Sequence, residues 1–300
     1  MKLEALVNAY YGSADFMELA PTSQSLYRQM IEAVKRDGGL YSVPVEKVSP
    51  KVVDSYYKAW QLQFGKSKAQ MMCKVLRKIW NWGYRQELIV LNPWSKMNLK
   101  SIPARTQLWT NDDFLTANRI CGEHHLPEMS RFIQLLRTTG QRPTDILFLQ
   151  ANEFGRRSNG GFYVSVEQQK THKRVEIEIT SPEYVAYTSF SNWLFTKAFI
   201  RNYHNIFAGM KAHGLNPSLQ LRDIRRTVAT EMAEGGATDE QIRALLGHSG
   251  HSKMPETVYI VRNAKMAADG LAKRTSQRER CAALECEQYG CLGECSKEHY

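Results

Sequence analysis

Six residues with charged, proton-carrying or nucleophilic side chains stand at junctions of the chain, where a solvated surface charge has no special reason to be. Arg142 follows a helix end in TTGQRPTD, and Lys170 occupies the tip of a hairpin, with Lys173 and Arg174 close by. Arg222 and Arg225 lie with Arg226 in LRDIRRT, a segment that otherwise reads as core. His248 follows another helix end in LLGHS, and Tyr259 comes eleven positions later in ETVYIVR. Guanidinium groups stay charged and grip oxyanions in a fork. Imidazole and ammonium groups transfer protons, and a hydroxyl beside them can become a nucleophile. These types together suit chemistry on an anion. Each also has a plain role: packing for a helical tyrosine, a polar turn for Lys170, a helix-end charge for Arg142, a C-cap for His248. All the plain roles would have to coincide in one chain.

The totals point the same way. A net charge of +10 and a pI near 9.3 call for a polyanionic partner. The apolar fraction of 43% and charged fraction of 23% are those of a soluble globular protein. No run approaches the roughly 20 apolar residues of a membrane span. The start, MKLEALVNAYYGSADF, has no basic segment leading into an apolar one, so work in the cytoplasm is expected. No carboxylate cluster suited to magnesium stands out, which argues against a metal-dependent nuclease or transposase. Four of the six cysteines, Cys281, Cys286, Cys291 and Cys295, crowd the last twenty residues, without the paired CxxC of ordinary zinc ribbons. They suit either a metal site or a tail packed on a neighbour.

The elements that must carry these residues read as mainly α with a small antiparallel β-sheet. In the first hundred residues, Thr22 and Ser23 cap a helix with Leu26, Met30, Ile31 and Val34 on one face. Ser49 before Pro50 starts a second helix. A third runs from Lys66 to about Arg85, with Lys74, Arg77, Lys78 and Arg85 on one face: a solvated stripe in isolation, a phosphate-contacting one beside a DNA enzyme. Residues 101–110 read as an extended basic linker. A second unit opens with Asn111 as cap, and a helix follows from Pro127 to about Thr139. Then the period changes to two in Phe162–Val166 and Val175–Ile179, a hairpin joined by QQKTHKR. Helices return near 183–200, 201–213 and 219–234, and Thr238-Asp239-Glu240-Gln241 is a capping box that opens one ending at Gly247.

TTGQRPTDIL, LRDIRRTVATEM, LLGHS and the tyrosine after them, in this order around one hairpin lysine, resemble the catalytic boxes of the tyrosine recombinases, the phage-integrase family. The helical first hundred residues resemble that family's core-binding domain, so the resemblance covers nearly the whole chain. It implies a helical core-type DNA-binding domain at 1–100, a catalytic domain at 107–270 and a Cys-rich tail at 271–300. It further implies a C-shaped clamp around duplex DNA. Arg142 and Arg225 match the two arginines that hold the scissile phosphate, and His248 the residue that adds a hydrogen bond. Tyr259 matches the nucleophile, Lys170 the general acid and Asp145 the acidic brace. Arg222 departs from the family, which commonly has histidine there. Arginine effectively cannot accept the tyrosine proton. Either Arg222 adds positive charge while the proton leaves to water or to His248, or cleavage is impaired.

The resemblance implies a site-specific recombinase that cuts and rejoins DNA through a 3′-phosphotyrosyl bond, with no cofactor, metal or ATP. Its partners would be double-stranded attachment sites of a mobile element, three further copies of the chain in a tetramer, and an accessory directionality factor. Only about twenty residues precede the first clear helix, too few for an arm-binding domain. The rivals are a type IB topoisomerase-like enzyme and a recombinase relative that binds DNA without cutting it.

Overall fold

A computed structural model describes residues 1–37, 39–248, 259, 260 and 266. The chain divides after Pro103 into two compact units, each with its own apolar core. The fold is mainly α with one small antiparallel sheet, as the periodicities suggest.

The first unit is built from α1 (Leu3–Tyr11), α2 (Ala14–Met17), α3 (Pro21–Arg36), α4 (Pro50–Phe64) and α5 (Lys66–Arg85). Ser49 caps α4 by accepting from the Val52 amide at 3.4 Å, with Pro50 in the first turn. Gly65, at φ +79°, takes the chain from α4 into α5, a conformation that favours glycine. Trp60 and Trp94 stack with centroids 6.0 Å apart, and Trp80 tilts against Trp94 at 5.8 Å. Asp37 takes the Trp60 indole hydrogen at 3.0 Å, so α3 is tied to α4. The expectation of a first helix near Thr22 was too late. Leu3, Leu6, Val7 and Tyr10 of α1 and Phe16 of α2 are all in the core, and α3 starts at Pro21 without a side-chain cap.

In the second unit, α6 (Asn111–Glu123) is capped by Thr110 in a capping box with Asp113, one residue before the expected Asn111. The helix α7 (Pro127–Thr139) ends at Gly140, whose φ of +63° turns the chain into the short α8 (Pro143–Ile146). The sheet has order β1-β2-β3: β1 (Phe154–Arg156), β2 (Phe162–Glu167) and β3 (Arg174–Ile179). Val164 pairs with both Phe154 and Ile177, and Val164, Val166, Ile177 and Ile179 turn inward. The remaining helices are α9 (Ser181–Thr188), α10 (Lys197–Ala212), α11 (Asp223–Glu234) and α12 (Asp239–Leu246). The helix expected over 183–200 is broken at 189–196. Trp193 forms a β-bridge with Gln150 there, Leu194 and Phe195 enter the core, and Thr196 caps α10. The Thr238–Gln241 capping box opens α12 as expected.

The stretch read as a linker is anchored from Arg105 onward. Arg105 binds Asp223 and the Ser218 carbonyl, and the Trp109 amide donates to Thr227 Oγ1 at 2.8 Å. No helix among the described residues is long and apolar enough to cross a membrane.

Candidate active site

Gly140 is the pivot of the site. By ending α7 in the left-handed conformation it sends Gln141 inward and leaves Arg142 at the N-cap of α8. Arg142 Nη1 lies 3.4 Å from Asp145 Oδ2, one turn along α8. Asp145 is buried, and its other oxygen accepts the Gln169 amide of the hairpin at 3.0 Å. One carboxylate therefore braces an arginine and a loop.

Arg225 projects from α11 into the interior at 2% exposure. Its Nη1 donates to the Gly140 carbonyl at 3.0 Å and lies 3.4 Å from Gln141 Oε1. Its Nη2 donates to the Leu246 carbonyl at 2.6 Å and stands 3.4 Å from His248 Nε2. Its Nε is buried without a hydrogen-bond partner among the described residues. Gly247, at φ +64°, ends α12 and delivers His248, whose amide bonds back to the Arg243 carbonyl at 2.9 Å. Tyr259 completes the group. Its ring centroid is 5.2 Å from the Arg225 guanidinium carbon and 5.5 Å from the His248 ring. Thr230 Oγ1 of α11 donates to its carbonyl at 3.4 Å, and its ring packs on the cluster of Ala229, Ile242 and Leu246.

The site is strongly cationic. Burial, then the neighbouring Arg142, push the Arg225 guanidinium down to about 10, while Tyr259 and Asp145 oppose the shift, so the group stays charged at neutral pH. Burial pushes His248 down to about 4, helped by Arg225, Arg142 and Lys173, and the imidazole is neutral at pH 7. Asp145 is the carboxylate that meets the two arginines.

Two of the anticipated residues are not drawn in. Lys170 is exposed at the hairpin tip and makes no hydrogen bond or ion pair among the described residues. Lys173, three positions on, lines a cavity of about 510 Å³ between β3 and α12 together with His248. Arg222 is exposed at the start of α11 and lines a different hollow, of about 590 Å³, with Pro143, Thr144 and His204. Arg226, on the same helix as Arg225, turns away to bind Asp223 at 3.0 Å. Sequence reading passed over Gln141 and Gln168, both fully buried and bonded to each other at 2.8 Å. Their only signal is position: Gln141 adjoins Arg142 in GQR, and Gln168 lies two before Lys170 in QQK.

On α5 the basic stripe is of two kinds. Lys74 and Lys78 are exposed. Arg77 is half-buried and donates to the carbonyls of Trp94 at 2.8 Å and Met97 at 2.7 Å, and Arg85 pairs with Asp15. Cys281, Cys286, Cys291 and Cys295 lie outside the described residues. Among the described residues no group of three or more His, Cys, Asp or Glu is arranged to hold a metal. Cys73 and Cys121 are buried, and burial pushes their thiols up to about 12 and about 11.

No protein-family model and no curated protein sequence matches the chain. Solved structures do. A lambda integrase dimer bound to a COC′ core site is similar at 19% identity over 85% of this chain and 76% of that one, with a TM-score of 0.69. The Tn1549 transposon integrase in complex with circular intermediate DNA is similar at 15% identity over 90% of this chain and 99% of that one, with a TM-score of 0.70. A lambda integrase tetramer bound to a Holliday junction gives 18% identity over 86% of this chain and 77% of that one, with a TM-score of 0.66. The fold of this chain is that of the tyrosine recombinases, shared with the lambda and Tn1549 integrases.

Proposed function

We propose that the protein is a site-specific DNA recombinase that breaks and rejoins strands through a covalent bond from Tyr259 to phosphate. The observation that carries this reading is the convergence of Arg142, Arg225, His248 and Tyr259, from four separate segments, around a buried guanidinium with a donor to spare. Two guanidinium groups supply the charge that a five-coordinate phosphorus needs, so the step requires neither metal nor ATP. The Tyr259 hydroxyl oxygen bonds to phosphorus as the bond to the 5′ oxygen breaks. Its proton passes to neutral His248 or to water, since Arg222 cannot take it. The 5′ oxygen takes a proton from the hairpin, with Lys170 as donor, and leaves as a hydroxyl. Reversal by an incoming 5′-hydroxyl reseals the strand with the bond energy conserved.

The partners in this reading are duplex attachment sites, a tetramer of this chain on DNA and an accessory directionality factor. The similar lambda integrase structures, a dimer on a core site and a tetramer on a Holliday junction, support the first two. The test is covalent trapping on nicked duplexes tiling both flanks of the encoding gene, with EDTA present and Tyr259→Phe as control. A detergent-resistant adduct is expected from the wild type alone. Retarded DNA with no adduct would replace this reading by that of a binding protein; on closed circular DNA carrying the located site, relaxation of supercoils without strand exchange would replace it by that of a topoisomerase.

A further inference from the structure

The hairpin that carries Lys170 is fastened to the site by a side chain with no charge to titrate. Gln168 is fully buried at the base of the turn 168–173. Its Nε2 donates to Gln141 Oε1 at 2.8 Å and to the Leu246 carbonyl at 2.9 Å, and its Oε1 accepts from Thr171 Oγ1 at 2.9 Å. Its backbone closes the turn: its amide donates to the Lys173 carbonyl, and its carbonyl takes the amides of Thr171 and His172. All the polar atoms of this side chain are satisfied, which a buried amide requires.

Its acceptors are also those of the arginines. Gln141 Oε1 faces Arg225 Nη1 at 3.4 Å, and the Leu246 carbonyl takes Arg225 Nη2 at 2.6 Å. Beside them, Asp145 takes the Gln169 amide with one oxygen and faces Arg142 with the other. The hairpin and the arginine pair thus meet at three shared acceptors. Gly247 makes room for this arrangement, since a Cβ there would stand 2.3 Å from Gln168 Nε2.

We propose that Gln168 is a positioning residue, whose buried amide seats the lysine-bearing hairpin on the acceptors that orient Arg142 and Arg225. The role in catalysis rests on the phosphotyrosyl reading of the site. Without the anchor the clamp on phosphate persists, because Arg225 keeps the Gly140 and Leu246 carbonyls, but the proton donor no longer arrives at the 5′ oxygen. Expelling an alkoxide needs that proton. Expelling a thiolate does not, because thiols are far stronger acids than alcohols, the cysteine side chain having a pKa of about 8.5.

The experiment compares cleavage of an ordinary nicked duplex with one whose scissile 5′ bridging oxygen is sulfur, using the full chain and Gln168→Met. The variant is expected to cut the ordinary duplex about 10- to 100-fold more slowly and the sulfur duplex within about threefold of wild type. Equal loss on both, or loss on neither, overturns the proposal. Thr171→Val, an exposed substitution that removes one bond to the amide, is expected to give a smaller split of the same sign, and guards against a folding defect in Gln168→Met. Amide hydrogen exchange of the free proteins provides a second readout that needs no cleavage. The Gln169, Thr171 and His172 amides are expected to exchange about tenfold faster in Gln168→Met, with α10 unchanged. Unchanged exchange overturns the anchor. A wild type that forms no adduct defeats the recombinase reading alone, because the exchange result still decides whether the hairpin hangs on Gln168.

Discussion

His248 shows how much the surroundings decide at a single residue. Burial removes the water that would solvate imidazolium, and Arg225, Arg142 and Lys173 repel it, so its pKa falls from about 6.5 to about 4. A neutral imidazole among cations can receive the Tyr259 proton, a role left open by the exposed Arg222. The same shift has a thermodynamic sign. Between about pH 6.5 and about pH 4 the unfolded chain binds a proton that the folded one refuses, so this contribution is complete above the upper limit and is lost as pH falls through the lower one. The urea midpoint should therefore decline on acidification through this window. His248→Gln should flatten that decline relative to wild type, with no change in shape above pH 7. Parallel curves would mean that the imidazole takes up its proton as readily in the folded protein as in the unfolded chain. Bound phosphate should act in the opposite sense, raising the pKa, so that DNA binding takes up protons in the same window.

At the scale of the element, α11 matters most because it carries the buried Arg225 and, in its first turn, the carboxylate that ties the helix to Arg105 and Gln220. Asp223, at 0% exposure, accepts from Arg105 Nε at 3.1 Å and Nη2 at 2.8 Å, from Arg226 Nη1 at 3.0 Å and from the Gln220 amide at 3.0 Å. Asp223→Asn would leave these cations facing a neutral group inside the protein, and a cost of about 3 kcal/mol in urea unfolding is expected. Arg105→Met should cost less, because Arg105 is about one-third exposed. A loss below about 0.5 kcal/mol for Asp223→Asn would show that the brace is solvated. Such long-range pairings mark the limit of sequence reading. Caps are local in sequence, and Ser49, the Thr238 box and Gly247 were legible for that reason. The apolar spacing of Leu3, Leu6, Val7 and Tyr10 is equally regular, but no capping side chain marks where that helix begins. The strand β1 is three residues long, too short for alternation to register. The break at 189–196 was hidden because Leu194 and Phe195 continue an apolar run while leaving the helix. In the candidate site, ordered boxes pointed to Arg142, Arg225, His248 and Tyr259, which the fold brings together. Gln141 and Gln168 are neutral, 27 residues apart, and acquire meaning only when the fold joins them.

Over the whole molecule the charge is uneven. Residues 1–103 hold fifteen of the 40 lysines and arginines and eight of the 30 acidic residues, so the first unit carries +7 of the net +10. As the core-type DNA-binding domain that the sequence resemblance implies, this unit would be the electrostatic handle on DNA, and its binding should weaken steeply with salt, as counterions released from phosphate are recaptured. The stripe on α5 allows that idea to be separated from structure. Lys74 and Lys78 are exposed, whereas Arg77 spends its guanidinium on the carbonyls of Trp94 and Met97 and holds the segment after α5 in place. The double variant Lys74→Ala, Lys78→Ala should keep wild-type stability and reduce the slope of log affinity against log salt by about 2, one per lost phosphate contact. Arg77→Ala should do the reverse, leaving the slope intact while lowering stability by about 2 kcal/mol, because two partly buried carbonyls lose a charged donor. If removing the lysines leaves the slope unchanged, the face of α5 is merely solvated, and the contacts of the first unit must be sought among its other exposed cations. If Arg77→Ala alters the slope, its guanidinium reaches phosphate as well as carbonyl, and this half-buried donor is part of the DNA-binding surface after all.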